Sequence, residues 1–410
     1  MRQFLYLWLI LPGWISLADP GFTADSAVAR ALSHNAELAA ARLTVQEAQG
    51  RLENSGRLRN PELGTEFKPS LQGQEGTFRI GLGQRFPLTS RLRLEKAVSQ
   101  RLLASARAEI RDAERRLAEQ TRALVLELAV LEERHRLRAQ QGQSVREWQV
   151  QAARTASQGE GLALEAEQLA LQLGELRVAE HRARGLQEAK QSELRLLLGL
   201  DPAAPVEIRE PLTRPATTET NGVVLAQRGD FQAAQERVAA AQQSSALVRA
   251  ERWQDLGVGV FGEWERQQDI PVGIPRNEFV GLELFLPLPF WNRQQGRIRE
   301  ADAAAVRESL QTMALANRIE SETAQALRQM AAAADAEREL FETLVPAARS
   351  LDQRLLTLQR EGQDTWSQRV RAGEKLWELE SLRLDALLDY HLARTRWLSA
   401  SGLILHPTVP

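Results

Sequence analysis

Residues 257–262 read GVGVFG, a match to the G-x-G-x-x-G pattern of a dinucleotide-binding turn. Such a turn works by following a strand and opening a helix, so that backbone N–H groups and the helix N-terminus meet a pyrophosphate. Here the apolar alternation runs on through the glycines, and a polar stretch, WERQQDIPVGIPRN, comes next. The glycines therefore read as strand positions that face a lumen or a close neighbour, and no cofactor is expected. The five histidines, His34, His135, His181, His391 and His406, are scattered, with no H-E-x-x-H and no i, i+4 pair. With three Met and no Cys, a transition-metal site is not expected. There is no G-x-S-x-G elbow and no thiol nucleophile, so no catalytic residue is assigned and the chain is not expected to be an enzyme. Two acidic turns remain: Gly159-Glu160-Gly161, and Gly362 with Asp364. Carried round a threefold axis they would form acidic rings at the narrow end of a helical tube, placed to gate a pore, favour cations or meet an adaptor. Turns also favour such residues for local reasons alone.

The elements that would place those turns are long helices. Composition is 43% hydrophobic and 26% charged, dominated in mid-chain by Ala, Leu, Arg, Glu and Gln, which are helix formers. With 52 Lys and Arg against 54 Asp and Glu, the net charge of −2 gives no support for a nucleic-acid partner. Residues 4–18 carry no charge, follow Arg2 and end Ser16-Leu17-Ala18, the pattern of a signal peptide spanning 1–18. Absence of Cys excludes disulfides and a lipid-bearing cysteine. No later stretch is apolar enough to span a bilayer as a helix, so any membrane contact must be made by strands.

The chain is written twice. NAELAAARLTVQEAQG and RGDFQAAQERVAAAQQS align at an offset of 193, and Glu62-Leu63-Gly64 falls on Asp255-Leu256-Gly257. Pro87-Leu88 repeats as Pro287-Leu288, and Gly159 and Gly199 repeat as Gly362 and Gly402. Two units follow, 19–215 and 216–405, each reading helix, strand, strand, long helix, turn, helix. Leu103, Ile110, Leu117, Leu124 and Leu131 recur every seven residues, and Val306, Met313, Glu320, Leu327 and Ala334 hold the corresponding positions. A helix from 90 to 158 would be ~100 Å long at 1.5 Å per residue. The return limbs to Gly199 and Gly402 are too short to match it and need a helix at 23–56, or its counterpart at 221–252, stacked on their ends. Pro346 is expected to kink the second long helix.

Strands are expected at about 61–68, 77–87, 254–264 and 278–287. Phe78, Ile80, Leu82 and Phe86 alternate with Arg79, Gly81, Gly83 and Arg85; Val280, Leu282, Leu284 and Leu286 repeat the apolar face. That is the pattern of a transmembrane β-barrel with these residues toward lipid. Four strands cannot close around a channel, and open edges in lipid are costly, so several chains must pool strands. Trp253, Trp264 and Trp291 lie near strand ends, where an aromatic girdle forms.

Three passages carry a resemblance: NAELAAARLTVQEAQGRLENSGRLRNPELG, RGDFQAAQERVAAAQ and LPLPFWNRQQGRIREADAA. Over residues 25–403 the chain resembles the TolC family of outer membrane efflux proteins. The Pro287-Leu288-Pro289 and Asn292-to-Gly296 passage is most similar to the branch that serves heavy-metal efflux. The resemblance implies a homotrimer, a 12-stranded barrel in the outer membrane of a Gram-negative cell and a long periplasmic α-barrel. It also implies docking by the helical turns onto a periplasmic adaptor and an inner membrane pump, commonly of the resistance-nodulation-division type. Substrate would pass without chemistry. Many relatives carry a lipidated Cys after the signal; here anchoring would rest on the barrel. The other reading is a periplasmic structural coiled coil without a pore.

Overall fold

Between residues 91 and 155 there is no proline and only Gly142, so nothing in the backbone interrupts a helix. In the computed structural model, which describes residues 21–71, 75–155, 160–215, 225–267, 276–361, 363 and 366–405, that stretch is one helix. The elements run α1 (Ala24–His34), α2 (Ala36–Asn54), β1 (Glu62–Pro69), β2 (Gly76–Phe86), α3 (Arg91–Thr155) and α4 (Glu160–Leu197). The second half runs α5 (Gly229–Ala250), β3 (Leu256–Arg266), β4 (Arg276–Phe285), α6 (Gln295–Glu339), α7 (Val345–Arg360) and α8 (Trp366–Ala400).

Helix α3 is the spine, packed on α1, α2, α4, α5 and α8. Leu103, Leu117, Leu124 and Leu131 are buried on it, as the seven-residue spacing demands, and Ile110 is half-buried. The transferred spacing on α6 does not hold: Val306 and Met313 are exposed, and so is Glu320. The buried stripe is instead Ile319, Thr323, Ala326, Met330, Ala333 and Glu337, with Leu340 just beyond, still alternating steps of four and three. The reason is position: α6 packs on α5 and α8 at the margin of the chain, so equivalent residues meet different neighbours.

A single helix over 23–56 is also not what forms. Asn35, at φ −69° and ψ 123°, leaves the helical region and caps α2, its side chain accepting from Leu38 N at 2.8 Å. Its Nδ2 donates to Leu197 O, 3.1 Å away in the last turn of α4. Both return helices end on glycine in the left-handed region, Gly199 at φ 61° and Gly402 at φ 79°. Leu200 N donates to Arg195 O, and Leu403 N to Leu398 O, which closes a Schellman turn in each repeat. A Cβ on Gly199 would lie 2.4 Å from His34 O, a backbone atom that cannot step aside. Gly199→Ala is therefore expected to lower stability by about 1–3 kcal/mol. Gly50→Ala, where a Cβ meets nothing within 4 Å, should instead raise it slightly. Thermal melts of the detergent-solubilised protein decide it; equal shifts for both would refute the argument.

Pro346 does not break its helix. Residues 340–344 form a π-helical turn ahead of it, and α7 continues with Pro346 in its first turn. The wider turn accommodates the donor that proline lacks.

The four strands form one antiparallel sheet in the order β1-β2-β3-β4. Hairpins join β1 to β2 and β3 to β4, while β2 pairs β3 from Gly76↔Arg266 to Phe86↔Leu256. No helix packs across the sheet among the described residues, and β1 and β4 are both edges without a neighbour. The cores lie elsewhere, strung along the helices. The largest gathers Leu124, Val125, Leu128, Leu194 and Leu198 under Phe22, Val206 and Ile208; a smaller one holds Val145, Trp148, Ala152, Leu169 and Trp366 near the far end.

Candidate functional site

Strand register sorts the sheet into two faces. On one, Leu63, Leu82, Val260 and Leu282 form a row, and Ile80 and Val280 form the next with Thr65 and Gly262. These side chains have nothing over them: Val280 is 92% exposed, Leu282 77% and Leu284 72%. Phe78, Ile80, Leu82 and Phe86 are exposed on the same face, and Leu286 is exposed just past the end of β4. At the hairpin end Phe67, Phe78 and Trp264 form one row, with Phe78 and Trp264 stacked at 5.8 Å. From there to the Phe86 and Leu256 row is on the order of 20–25 Å along tilted strands, the height of a hydrocarbon band.

The opposite face carries the charged side chains, with Phe261, Phe279 and Phe285 among them. Arg79 pairs with Glu283 at 2.8 Å and lies over the Phe261 ring at 3.7 Å. Phe261 in turn covers Gly281, where a Cβ would sit 2.4 Å from its Cζ, so the bare position is what lets the ring lie flat. Arg85 pairs with Glu62 at 3.3 Å. In the GVGVFG stretch, Gly257 and Gly259 belong to this face, and Gly262 lies on the other beneath Trp264. The stretch is strand throughout, with no helix opening from it.

Where strands meet helices, a recess of about 500 Å³ opens on the polar side, lined by Arg59, Glu62, Arg85, Arg91, Asp255 and Glu283 among others. Trp253 lines it too, so this tryptophan stands with polar-face residues and not in the exposed apolar row. Trp291 is 93% exposed, in edge contact with Phe290. Arg91 fixes the joint, meeting Glu95 at 2.6 Å and Asp255 at 2.9 Å.

A second charged joint lies midway along the helices. Arg228, 4% exposed, donates to Asp230 at 2.5 Å, to Glu322 at 3.4 Å and to Ala400 O at 3.2 Å. Burial pushes the guanidinium pKa down, but its carboxylate partners outweigh that and hold it above the usual value. Burial likewise pushes the Asp230 carboxyl up, and Arg228 overcomes it, so Asp230 sits below the usual carboxylate range. Farther along, Glu337, 1% exposed, meets Arg214 at 3.3 Å and Arg383 at 3.7 Å, and both guanidinium groups lie over Phe341 in the π turn. His391 Nε2 donates to Thr213 O, 2.9 Å away, and burial lowers its pKa.

Of the acidic turns, Glu160 and Gly161 open α4, while Gly159, Gly362 and Asp364 lie outside the described residues. The relation between the two turns therefore lies outside the described residues. Among the described residues no group of His, Cys, Asp and Glu is arranged to hold a metal ion, and no helix is long and apolar enough to cross a membrane. The sequence marks Arg228 only by its offset of 193 from the capping Asn35, and the structure shows it as a buried charge that joins α5, α6 and the end of α8.

No protein-family model matches the chain, and no curated protein matches it in sequence. Solved structures do. CusC, described in connection with transmembrane channel formation, superposes over 93% of this chain and 92% of its own with a TM-score of 0.76 at 16% identity. The outer membrane protein VceC of Vibrio cholerae covers 92% and 96% with a TM-score of 0.74 at 18% identity. The open state of the MtrE outer membrane channel of Neisseria gonorrhoeae covers 92% and 88% with a TM-score of 0.76 at 17% identity. At these identities the likeness establishes the fold: long paired helices with a four-strand antiparallel contribution, as in those channels.

Proposed function

We propose that this chain is one of three subunits of an outer membrane channel that carries substrate passively from a periplasmic pump to the exterior. One observation carries the proposal: a sheet with an apolar face that nothing covers and two edges that nothing pairs. In water that surface would aggregate; in lipid the open edges would each leave backbone groups unsatisfied at several kcal/mol apiece. Three copies resolve both, giving twelve strands with Phe78, Ile80, Leu82, Phe86, Val280, Leu282, Leu284 and Leu286 toward lipid. The paired charges around Arg79 and Arg85 then line a water-filled lumen.

The helices continue the conduit into the periplasm, and their turns near 159 and 362 meet an adaptor and an inner membrane pump of the resistance-nodulation-division type. Glu160 and Asp364 act there as gate or contact residues. The cargo we propose is heavy-metal cations, on the similarity of residues 286–304 to the metal-efflux branch. A rod without a pore is disfavoured, because it leaves the apolar face unexplained.

Two measurements test this. Detergent-extracted protein should elute at the mass of a trimer and produce discrete conductance steps in a planar bilayer; a water-soluble monomer without conductance would sink the channel. Deleting the chain should sensitise cells to Zn, Co, Cd or Cu. Sensitivity to several drugs with no response to metals would replace the proposed cargo and keep the channel.

A further inference from the structure

The passages that join strands to helices differ from the rest of the chain in charge. Residues 51–61, 85–96, 249–256 and 286–300 hold twelve Lys and Arg against five Asp and Glu, in a chain whose totals are 52 and 54. The fold draws all four into one collar. Arg91 meets Asp255 at 2.9 Å, Gln294 Nε2 donates to Glu251 O at 3.1 Å, and Gln84 Nε2 donates to Arg59 O at 2.8 Å. Gly56 lies against Leu92 and Lys96.

Three of the five acidic groups in the collar are ion-paired: Glu95 and Asp255 with Arg91, and Glu251 with Arg297 at 3.1 Å. Arg57, Arg93, Lys96, Arg252 and Arg293 are left exposed, and their side chains make no ion pair among the described residues. Exposed apolar side chains are interleaved with them. Leu58 follows Arg57, Leu88 precedes Arg93, and Phe290 with Trp291 precedes Arg293, at 52%, 49%, 65% and 93% exposure.

A merely solvated surface mixes both signs of charge. An excess of unpaired Arg and Lys beside exposed Trp and Phe, at the margin of an apolar band, has the composition of an interface with anionic lipid. Long basic side chains reach from such a margin to phosphate while their stems stay against apolar neighbours.

We propose that this collar binds the phosphate headgroups of anionic phospholipids in the leaflet on the helical side of the band. The proposal rests on the membrane-barrel reading above. The lipid contact fixes the depth at which the barrel sits, with Trp291 at the headgroup level.

The test uses the full-length protein in phosphatidylcholine vesicles, titrated with brominated phosphatidylglycerol or brominated phosphatidylcholine as quenchers of tryptophan fluorescence. Brominated phosphatidylglycerol should quench at a several-fold lower mole fraction. That preference should collapse at about 1 M salt, where the Debye length is about 3 Å. It should also collapse in the combined variant Arg57→Gln, Arg93→Gln, Arg252→Gln, Arg293→Gln, whose far-UV circular dichroism and oligomer size are checked in parallel. Equal quenching by the two lipids in the unmodified protein, or an unchanged preference in the folded variant, overturns the proposal. No quenching by either lipid means the barrel is not in the membrane, and the reading beneath the proposal fails with it. The salt arm needs no variant, so misfolding of the variant leaves the proposal testable.

Discussion

Exchanging Leu82 and Leu282 for arginine is expected to remove the protein from the membrane. The two share a row with Leu63 and Val260, near the middle of the exposed apolar face. An arginine near the midplane of a barrel's lipid face costs about 2–4 kcal/mol, less toward the interfaces. In the proposed trimer, two in each subunit come to about 12–24 kcal/mol, as large as or larger than the roughly 5–15 kcal/mol by which folded proteins are ordinarily stable. Membrane fractionation should find the double variant degraded or in inclusion bodies, with conductance abolished. Asn277→Arg provides the contrast. It stands opposite Glu265 on the polar face, where a basic residue gains a partner and meets water, so near-normal assembly is expected. If both variants assembled equally well, the assignment of faces would be wrong.

Arg228→Met carries the second large effect, through stability and pH together. Removing the guanidinium leaves Asp230 part-buried without its partner and Ala400 O without its donor. Breaking one side of a buried pair costs about 3–5 kcal/mol, because the surviving charge is uncompensated. The pH dependence follows from the sign of the Asp230 shift. In the native chain its folded pKa lies below the reference value of 3.8. Its contribution is therefore present above that value and is lost as pH falls through the folded pKa. In the variant, burial is opposed only by Arg115 and the Phe231 N–H, so the folded pKa rises above its native value, and the penalty is full at neutral pH and shrinks on acidification. The difference in melting temperature between the two proteins should thus be larger at pH 7 than near pH 4. A gap independent of pH would show that Asp230 is not the group left uncompensated. Adding Asp230→Asn to the variant should recover part of the loss at pH 7.

Much of this architecture was legible in the sequence because repetition constrains more than composition does. The offsets that align the two halves also align their contacts. Asn35 reaches Leu197 O and, 193 residues on, Arg228 reaches Ala400 O, while Leu197 and Ala400 are themselves 203 apart. The strands were readable because a period of two has few other meanings when Gly and Pro bound it. What repetition did not carry was environment. Val306 and Met313 inherit their positions from buried Leu103 and half-buried Ile110, yet α6 lies at the margin of the chain. Asn35 ends α1 through a local cap that competes with an otherwise helical pattern. The π turn before Pro346 adjusts hydrogen bonding without altering the apolar stripe, so no sequence period reports it. Trp253 shows that a tryptophan near a strand end can stand on either face.

The pairing of β2 with β3 has a consequence for how the molecule comes to exist. Phe86 meets Leu256 across the whole of α3, α4 and α5, so this ladder can close only after both repeats have been made and brought together. Helices α3 and α4, by contrast, pair with a near neighbour in the chain and can form early. Between those events the chain holds finished rods and two hairpins with free edges, and in the proposed channel even a completed sheet keeps its outer edges open until other copies arrive. Assembly of the proposed trimer is consequently second order or higher in chain concentration, and the interval before it is when the exposed strands are most open to aggregation and proteolysis. The rate at which partners are supplied sets the yield of finished protein as surely as the stability of any one subunit.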